Sequence, residues 1–207
     1  MELLIIRHGR PVRDTRADGE FADPELSEIG WNQARATAAF LEGEHIDHVV
    51  ASTMIRAHQT AMPTAEMLGA DIELRPDLVE VDAHSNEYVP MEEMDMAVEA
   101  EKFQNDPLHI FNGDYDGFRD RVVGAFDELV EQNRGKRVAV FCHGMVTQVY
   151  IQTLFELDDP MFTLIDYCGI NRVKANSSGL RSVVSINETG HVRGLNPDGD
   201  YKPSIRA

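Results

Sequence analysis

Residues 3–9 read "LLIIRHG": four apolar residues, then an arginine, a histidine and a glycine. A short apolar run without polar alternation is the pattern of a strand buried on both faces, the kind found inside helix-covered parallel sheets. "DHVVAS" (47–52), "DIELRP" (71–76) and "RVAVFC" (137–142) read as further strands, at intervals that leave room for helices. One such helix is predicted over 26–44 ("LSEIGWNQARATAAFLEGE"), with Ser27 as N-cap. A second spans 55–69, bent at Pro63 and closed near Gly69, and a third is the amphipathic 118–135, closed by Gly135. A fourth covers 145–157. "INRVKAN" and "LRSVVSIN" flank "SSG" and read as a hairpin. The fold class is therefore α/β: a three-layer sandwich with helices on both faces of a mostly parallel sheet that carries an antiparallel addition.

The chain has 207 residues, enough for one domain (1–207) at about 100–200 residues per domain. Between 81 and 116 the periodicity loosens into an acidic, methionine-rich stretch, read as a lid-like insertion over the sheet. Met91, Met94 and Met96 read as its packing, and "EEMDMAVEAE" (92–101) as a solvated helix face. Were that stretch to line a pocket mouth, it would disfavour polyanionic substrates.

With 43% hydrophobic and 27% charged residues, the composition is that of a globular protein. A net charge of −17 argues against binding nucleic acid or an anionic membrane surface. No apolar run approaches the roughly 18 residues of a membrane span. "MELLII" is too short for a signal-peptide core and carries Glu2 where a basic residue is usual. Cys142 and Cys168 lack metal-ligand spacing and fit a reducing compartment. A cytoplasmic protein is the expectation; the sequence leaves room for a homodimer.

In open α/β sheets, ligands bind beyond the carboxyl ends of the strands. Arg7-His8-Gly9-Arg10 follows the first strand. Ser52 follows the second, with Arg56 in the next helix. Glu80 and Asp82 come after the third, and His143-Gly144 after the fourth. Two histidines, several arginines and a carboxylate thus converge on one rim. The set suits phosphoryl transfer: guanidinium forks match phosphate oxygens, and N–H groups at a helix start, near Gly144 and Met145, add anion affinity. A neutral imidazole is a competent nucleophile, and a carboxylic acid of raised pKa can protonate the leaving alcohol.

These blocks, "LIIRHG", "LSEIGWNQA", "VVASTMIRAHQTA", "LVEVD" and "VAVFCHGM", with the tail "SINETGHV", resemble in order those of the histidine phosphatase superfamily, the phosphoglycerate mutase-like group. The resemblance implies that His8 attacks phosphorus to form a phosphohistidine. It implies that Arg7, Arg56 and His143 build the phosphate pocket and that Glu80 is the proton donor. Gly144 and Arg10 are further candidates for phosphate contact, and Asp82 and His84 are rival donors. His143 is followed by glycine, unlike the branch that keeps an aspartate there as its donor. The usual Glu/Gln-Thr continuation of Arg-His-Gly is replaced by Arg10-Pro11-Val12-Arg13-Asp14, so Arg10 or Arg13 would stand in for missing pocket contacts. The implied function is a metal-independent phosphomonoesterase acting on a small phosphorylated substrate, without metal or cofactor. A mutase-type transfer and a non-catalytic phospho-ligand module are the alternatives.

Overall fold

The computed structural model describes residues 1–17, 19–158 and 162–195; residues 196–207 of the expected domain, with 18 and 159–161, lie outside the described residues. Six strands form the main sheet: β1 (Glu2–Arg7), β3 (His48–Ser52), β4 (Ile72–Arg75), β6 (Arg137–Cys142), β7 (Ile170–Ala175) and β8 (Arg181–Glu188). Their spatial order is β4-β3-β6-β1-β7-β8. β1, β3, β4 and β6 run parallel, whereas β7 is antiparallel to both β1 and β8. The hairpin expected around "SSG" is this β7–β8 pair. Its turn is held by the Asn176 side chain, which accepts from the Ser178 and Leu180 amides, and by Gly179 at φ +86°.

The alternation of side chains along β1 separates the two cores. Leu3 and Ile5 pack with Val138, Val140, Phe126 and Val149. They lie on the side of α4 (Tyr115–Gln132) and α5 (Gly144–Leu154). Leu4 and Ile6 face the other way, onto Leu41, Ala61, Ala65 and Phe141. That side is covered by α1 (Glu28–Leu41) and α2 (Ile55–Leu68). With all four residues of "LLII" fully buried, one strand anchors both hydrophobic layers.

Helix ends follow local chemistry. Ser27 caps α1 by accepting from the Gly30 amide at 3.1 Å. α2 continues through Pro63 and stops at Gly69 in the left-handed region. α4 begins three residues before the expected start, because Asp114 caps it by accepting from the Gly117 amide. α5 ends at Leu154 instead of 157, where Glu156 takes φ +54°.

Between β4 and α4 the chain forms short 3₁₀ turns at Pro76–Leu78, Met91–Glu93 and His109–Phe111, and the Asp95-capped α3 (Met96–Asn105). It also forms β5 (Glu87–Tyr88), which pairs with β2 (Asp14–Thr15) in a two-stranded sheet that periodicity did not predict. Two residues per strand are too few to produce a repeat.

α1 and the loop after β1 are locked together. Ser27 N–H and Oγ–H both donate to the Arg10 carbonyl, and the Gln33 side chain accepts from the Arg10 amide. A Cβ at Gly30 would stand 2.1 Å from that carbonyl oxygen, and one at Gly9 would stand 2.7 Å from the Gly30 oxygen. Both contacts are backbone against backbone, so neither neighbour can swing away. Gly30→Ala is expected to lower stability by roughly 1–3 kcal/mol, the usual range for overpacking. Thermal unfolding would show the loss as a reduced melting temperature; an unchanged one would contradict the interlock.

Candidate active site

The register of β1 against β6 places Arg7 beside Cys142. His8 and His143 therefore leave adjacent strands at one level, with ring centroids 5.2 Å apart. β3 lies on the other side of β6 and brings Ser52, whose Oγ is 2.9 Å from His143 Nε2. Three neighbouring strand ends thus supply the floor of the site.

His8 is almost fully buried, and its Nδ1 lies 2.8 Å from the Gly9 carbonyl oxygen. A carbonyl only accepts, so Nδ1 carries the proton and Nε2 keeps its lone pair. Nε2 has no hydrogen-bond partner among the described residues. Burial pushes the His8 pKa well below that of free histidine, and the charges of Arg56 and Arg7 push it further. The ring is therefore neutral across the physiological range. His143 is lowered in the same way, by burial first and then by Arg56.

Arg56, in the first turn of α2, is fully buried. Its Nη2 donates to Asp82 Oδ1 at 2.7 Å, and its guanidinium lies 4.7 Å from the centre of the Tyr88 ring supplied by β5. Burial works against its charge, yet Asp82, Tyr88 and Glu80 hold its pKa above the ordinary value. Nε and Nη1 have no partner among the described residues. Arg7 donates through Nη1 to the Ile165 carbonyl at 2.6 Å and to Met91 Sδ at 3.3 Å, and stacks at 4.3 Å over Tyr167. Its Nε and His143 Nδ1 are likewise buried without partners. Four buried polar atoms around one bare imidazole nitrogen are left without protein partners, a costly arrangement that an anion would satisfy.

The three carboxyl-end candidates separate. Glu80 meets the start of α5, accepting from the Met145 amide at 2.9 Å and the Val81 amide at 3.0 Å. Its pKa is raised by burial first and then by Asp82, against the opposing pull of those amides. Asp82 is held in the ion pair with Arg56. His84 is exposed and packs edge-on against Phe21, with ring centroids 5.0 Å apart. All three line a cleft of about 830 Å³ that also touches Ile110, Phe118 and Arg121, but not His8. Gly144 opens α5 against the Arg7 guanidinium, and its N–H, first in the helix, lacks an intrahelical acceptor.

Arg10 reaches the rim, but its Nε forms a close ion pair with Glu92. Arg13 does not reach it: this arginine pairs with Glu87 on the surface at 2.9 Å, both side chains about half exposed. The expectation that Arg13 stands in for a pocket contact is thus corrected: its guanidinium is held at the surface by Glu87 of β5. Glu92 and Met91 correct two further readings. Instead of a solvated face and simple packing, the turn that carries them touches Arg10, Arg7 and Tyr167. Met94 is exposed, and the Met96 side chain lies outside the described residues.

Tyr167 and Tyr88 escaped sequence reasoning, since no spacing marks an aromatic that approaches from a distant loop. The tail explains Tyr167. Asn187, at φ +54°, accepts from the Asp166 amide and donates to Asp166 Oδ2, fixing the loop that carries Tyr167. His191 bonds Thr37 and stacks on Phe40, so the tail acts as a strut. Among the described residues no group of acidic, histidine or cysteine side chains could hold a metal ion, and no helix is long and apolar enough to cross a membrane.

The family model of the histidine phosphatase superfamily (branch 1) matches residues 3–189. The chain belongs to that superfamily. A "probable phosphatase" of Schizosaccharomyces pombe is 30% identical over 93% of this chain and 91% of its own length. A bifunctional protein of Mycobacterium tuberculosis is 28% identical over 92% of this chain; the chain spans only 54% of that relative. Among solved structures, an Entamoeba histolytica phosphoserine phosphatase bound to phosphoserine has the same fold. It gives a TM-score of 0.72 at 22% identity, over 92% of this chain and 98% of the other. So does a mycobacterial glucosyl-3-phosphoglycerate phosphatase complexed with VO3, with a TM-score of 0.69 at 19% identity over 90% and 98%.

If the unpartnered donors form an anion site, inorganic phosphate or vanadate should stabilise the protein. At about a hundred times Kd the gain is about 2.7 kcal/mol, or roughly 5–10 °C for a chain of this size. Arg56→Met should abolish the shift and Arg13→Gln should keep it. Equal shifts in all three proteins would refute the assignment.

Proposed function

We propose that this chain is a phosphomonoesterase that works through a phosphohistidine at His8 and needs no metal ion. The observation that carries the reading is the convergence just described: a neutral imidazole with its lone pair on Nε2, surrounded by unsatisfied donors on Arg7 and Arg56 and by His143. In the first step His8 Nε2 forms a bond to phosphorus as the ester oxygen leaves with the bonding pair. Glu80 is the group best suited to protonate that oxygen, because burial favours its neutral form. Asp82 is committed to Arg56. The two guanidinium groups and the α5 N–H groups balance charge on the phosphoryl oxygens, the part a metal ion plays elsewhere. In the second step the Glu80 carboxylate takes a proton from water, water oxygen bonds to phosphorus, and the N–P bond breaks. Inorganic phosphate and free His8 are the products.

The family and the phosphatases among its relatives support this class of reaction. Residues 81–116 act as a cover in this reading, supported by the contacts of Met91 and Glu92 with Arg7, Arg10 and Tyr167.

The active form requires neutral His8 and protonated Glu80. His8 titrates well below the ordinary histidine value, so activity should persist as pH falls through 6.5 and fail only at lower pH. Glu80 titrates above the ordinary carboxylate range, so activity should decline as pH rises past that raised value. The kcat/KM profile for an aryl phosphate is therefore bell-shaped and displaced toward acid. Glu80→Gln should remove the alkaline limb along with most of the rate, whereas an unchanged limb would transfer the donor role elsewhere. His8→Ala should eliminate phosphate release, and chelators should leave the wild-type rate unaltered. Appearance of an isomeric phosphoester in place of inorganic phosphate would point to mutase chemistry instead.

A further inference from the structure

Ser52 closes β3, and the parallel register of Ala51 against Phe141 sets it level with the end of β6, where His143 follows. Serine and imidazole are both fully buried. Ser52 Oγ lies 2.9 Å from His143 Nε2, and the same oxygen accepts from the Met54 amide at 3.3 Å. Met54 is the N-cap of α2, whose first turn carries Arg56. The other ring nitrogen, His143 Nδ1, is buried without a partner among the described residues.

A neutral imidazole carries one proton, and the bond made by one nitrogen decides which of the two holds it. Two arrangements fit the 2.9 Å contact. In the first, Nε2–H donates to Ser52 Oγ. The serine proton then has no acceptor among the described residues, because the other partner of Oγ is an amide that itself donates. Nδ1 would also keep a bare lone pair, which repels an anionic oxygen. In the second, Ser52 Oγ–H donates to Nε2 while Oγ accepts from Met54. The hydroxyl is then satisfied both as donor and as acceptor, and the ring proton sits on Nδ1. Only that N–H is left over, and a phosphoryl oxygen is the kind of partner it lacks. Buried polar groups are seldom left unpaired, which selects the second arrangement.

We propose that Ser52 is a positioning residue that holds His143 in its Nδ1–H tautomer, so that this ring donates a hydrogen bond to the transferring phosphoryl group while staying uncharged. The inference rests on the phosphatase reading above. His8 and His143, with ring centres 5.2 Å apart, then form a complementary pair. Both carry the proton on Nδ1, but that of His8 is taken by the Gly9 carbonyl, which leaves Nε2 to attack. The proton of His143 remains for an oxygen on phosphorus. Burial, then Arg56 and His8, hold the His143 pKa well below the ordinary value, so a tautomer and not a charge decides what this ring can do. A donor fixed before the substrate arrives needs no reorganisation as charge moves through the phosphoryl group.

The test is nitrogen NMR of protein isotopically labelled at histidine, free and with inorganic phosphate, the His143 signals being identified by their loss in His143→Ala. At neutral pH the wild type should show His143 protonated at Nδ1 and bare at Nε2 in both states. Ser52→Ala should populate the Nε2–H tautomer in the free protein. It should also lower kcat/KM for 4-nitrophenyl phosphate by roughly ten- to a hundredfold, the scale seen when the partner that orients a functional imidazole is removed. Added to His143→Ala, Ser52→Ala should cause no further loss, because the serine acts through that ring. A wild-type His143 protonated at Nε2 would overturn the assignment, whether or not S52A folds. So would an unchanged tautomer in S52A, or an equal loss of rate in the His143→Ala background, the mark of a merely structural serine. Each of these results leaves the phosphatase reading intact. Failure of the wild type to release phosphate from the aryl ester would instead overturn that reading, and the role of Ser52 in the reaction with it, whatever the tautomer.

Discussion

The side-by-side pairing of β1 and β6, with Arg7 opposite Cys142, is the constraint on which the site depends. Side chains alternate across a strand, so a slip of one residue would move His8 to the opposite face and exchange the two hydrophobic cores at the same time. "LLII" faces both cores, which makes such a slip costly. The apolar strand thus fixes where the imidazole points with the same contacts that hold the layers together. The backbone bond from the His8 amide to the Cys142 carbonyl at 2.9 Å continues the ladder into the site itself.

Around this frame the structure accumulates positive charge in places where it is expensive to hold. A buried guanidinium without a counter-charge costs several kcal/mol, and Arg56 is fully buried with unpaired nitrogens. Asp82 and the Tyr88 ring offset part of that cost, and they reach Arg56 from the segment between β4 and α3. In the proposed mechanism the transferring phosphoryl answers the remainder. Burial first, and then the same charges, lower the pKa of both histidines, which keeps the His8 ring neutral. In the proposed mechanism, phosphate affinity and the neutral state of the nucleophile thus share one electrostatic origin.

Most of the frame was legible in the sequence because it is locally encoded. Apolar runs marked the buried strands, Ser27 and Gly69 marked helix ends, and the residues just after each strand marked the rim. The interlock of Gly9, Gly30, Ser27 and Gln33 shows why the "RHG" and "LSEIGWNQA" blocks occur together: one helix is seated on the other block's loop. What could not be read depends on distant segments meeting. Tyr88 is delivered by two-residue strands, Tyr167 by a loop tied to Asn187, and Glu92 by a single turn inside an acidic stretch. Nothing in the spacing of that stretch distinguishes Glu92 from its solvated neighbours. Arg13, three residues past Arg10, carries no local mark that separates it from a pocket residue; only its pairing with the distant Glu87 does.

A phosphohistidine mechanism requires the phosphoryl group to reside on His8 between the two steps. Rapid mixing with an aryl phosphate, quenching in alkali and peptide mass spectrometry would locate it. The expected result is one alkali-stable, acid-labile phosphoryl group on the peptide containing His8, formed no more slowly than phosphate is released. Phosphate release at full rate with His8 never modified, or with the group carried by another side chain, would contradict it.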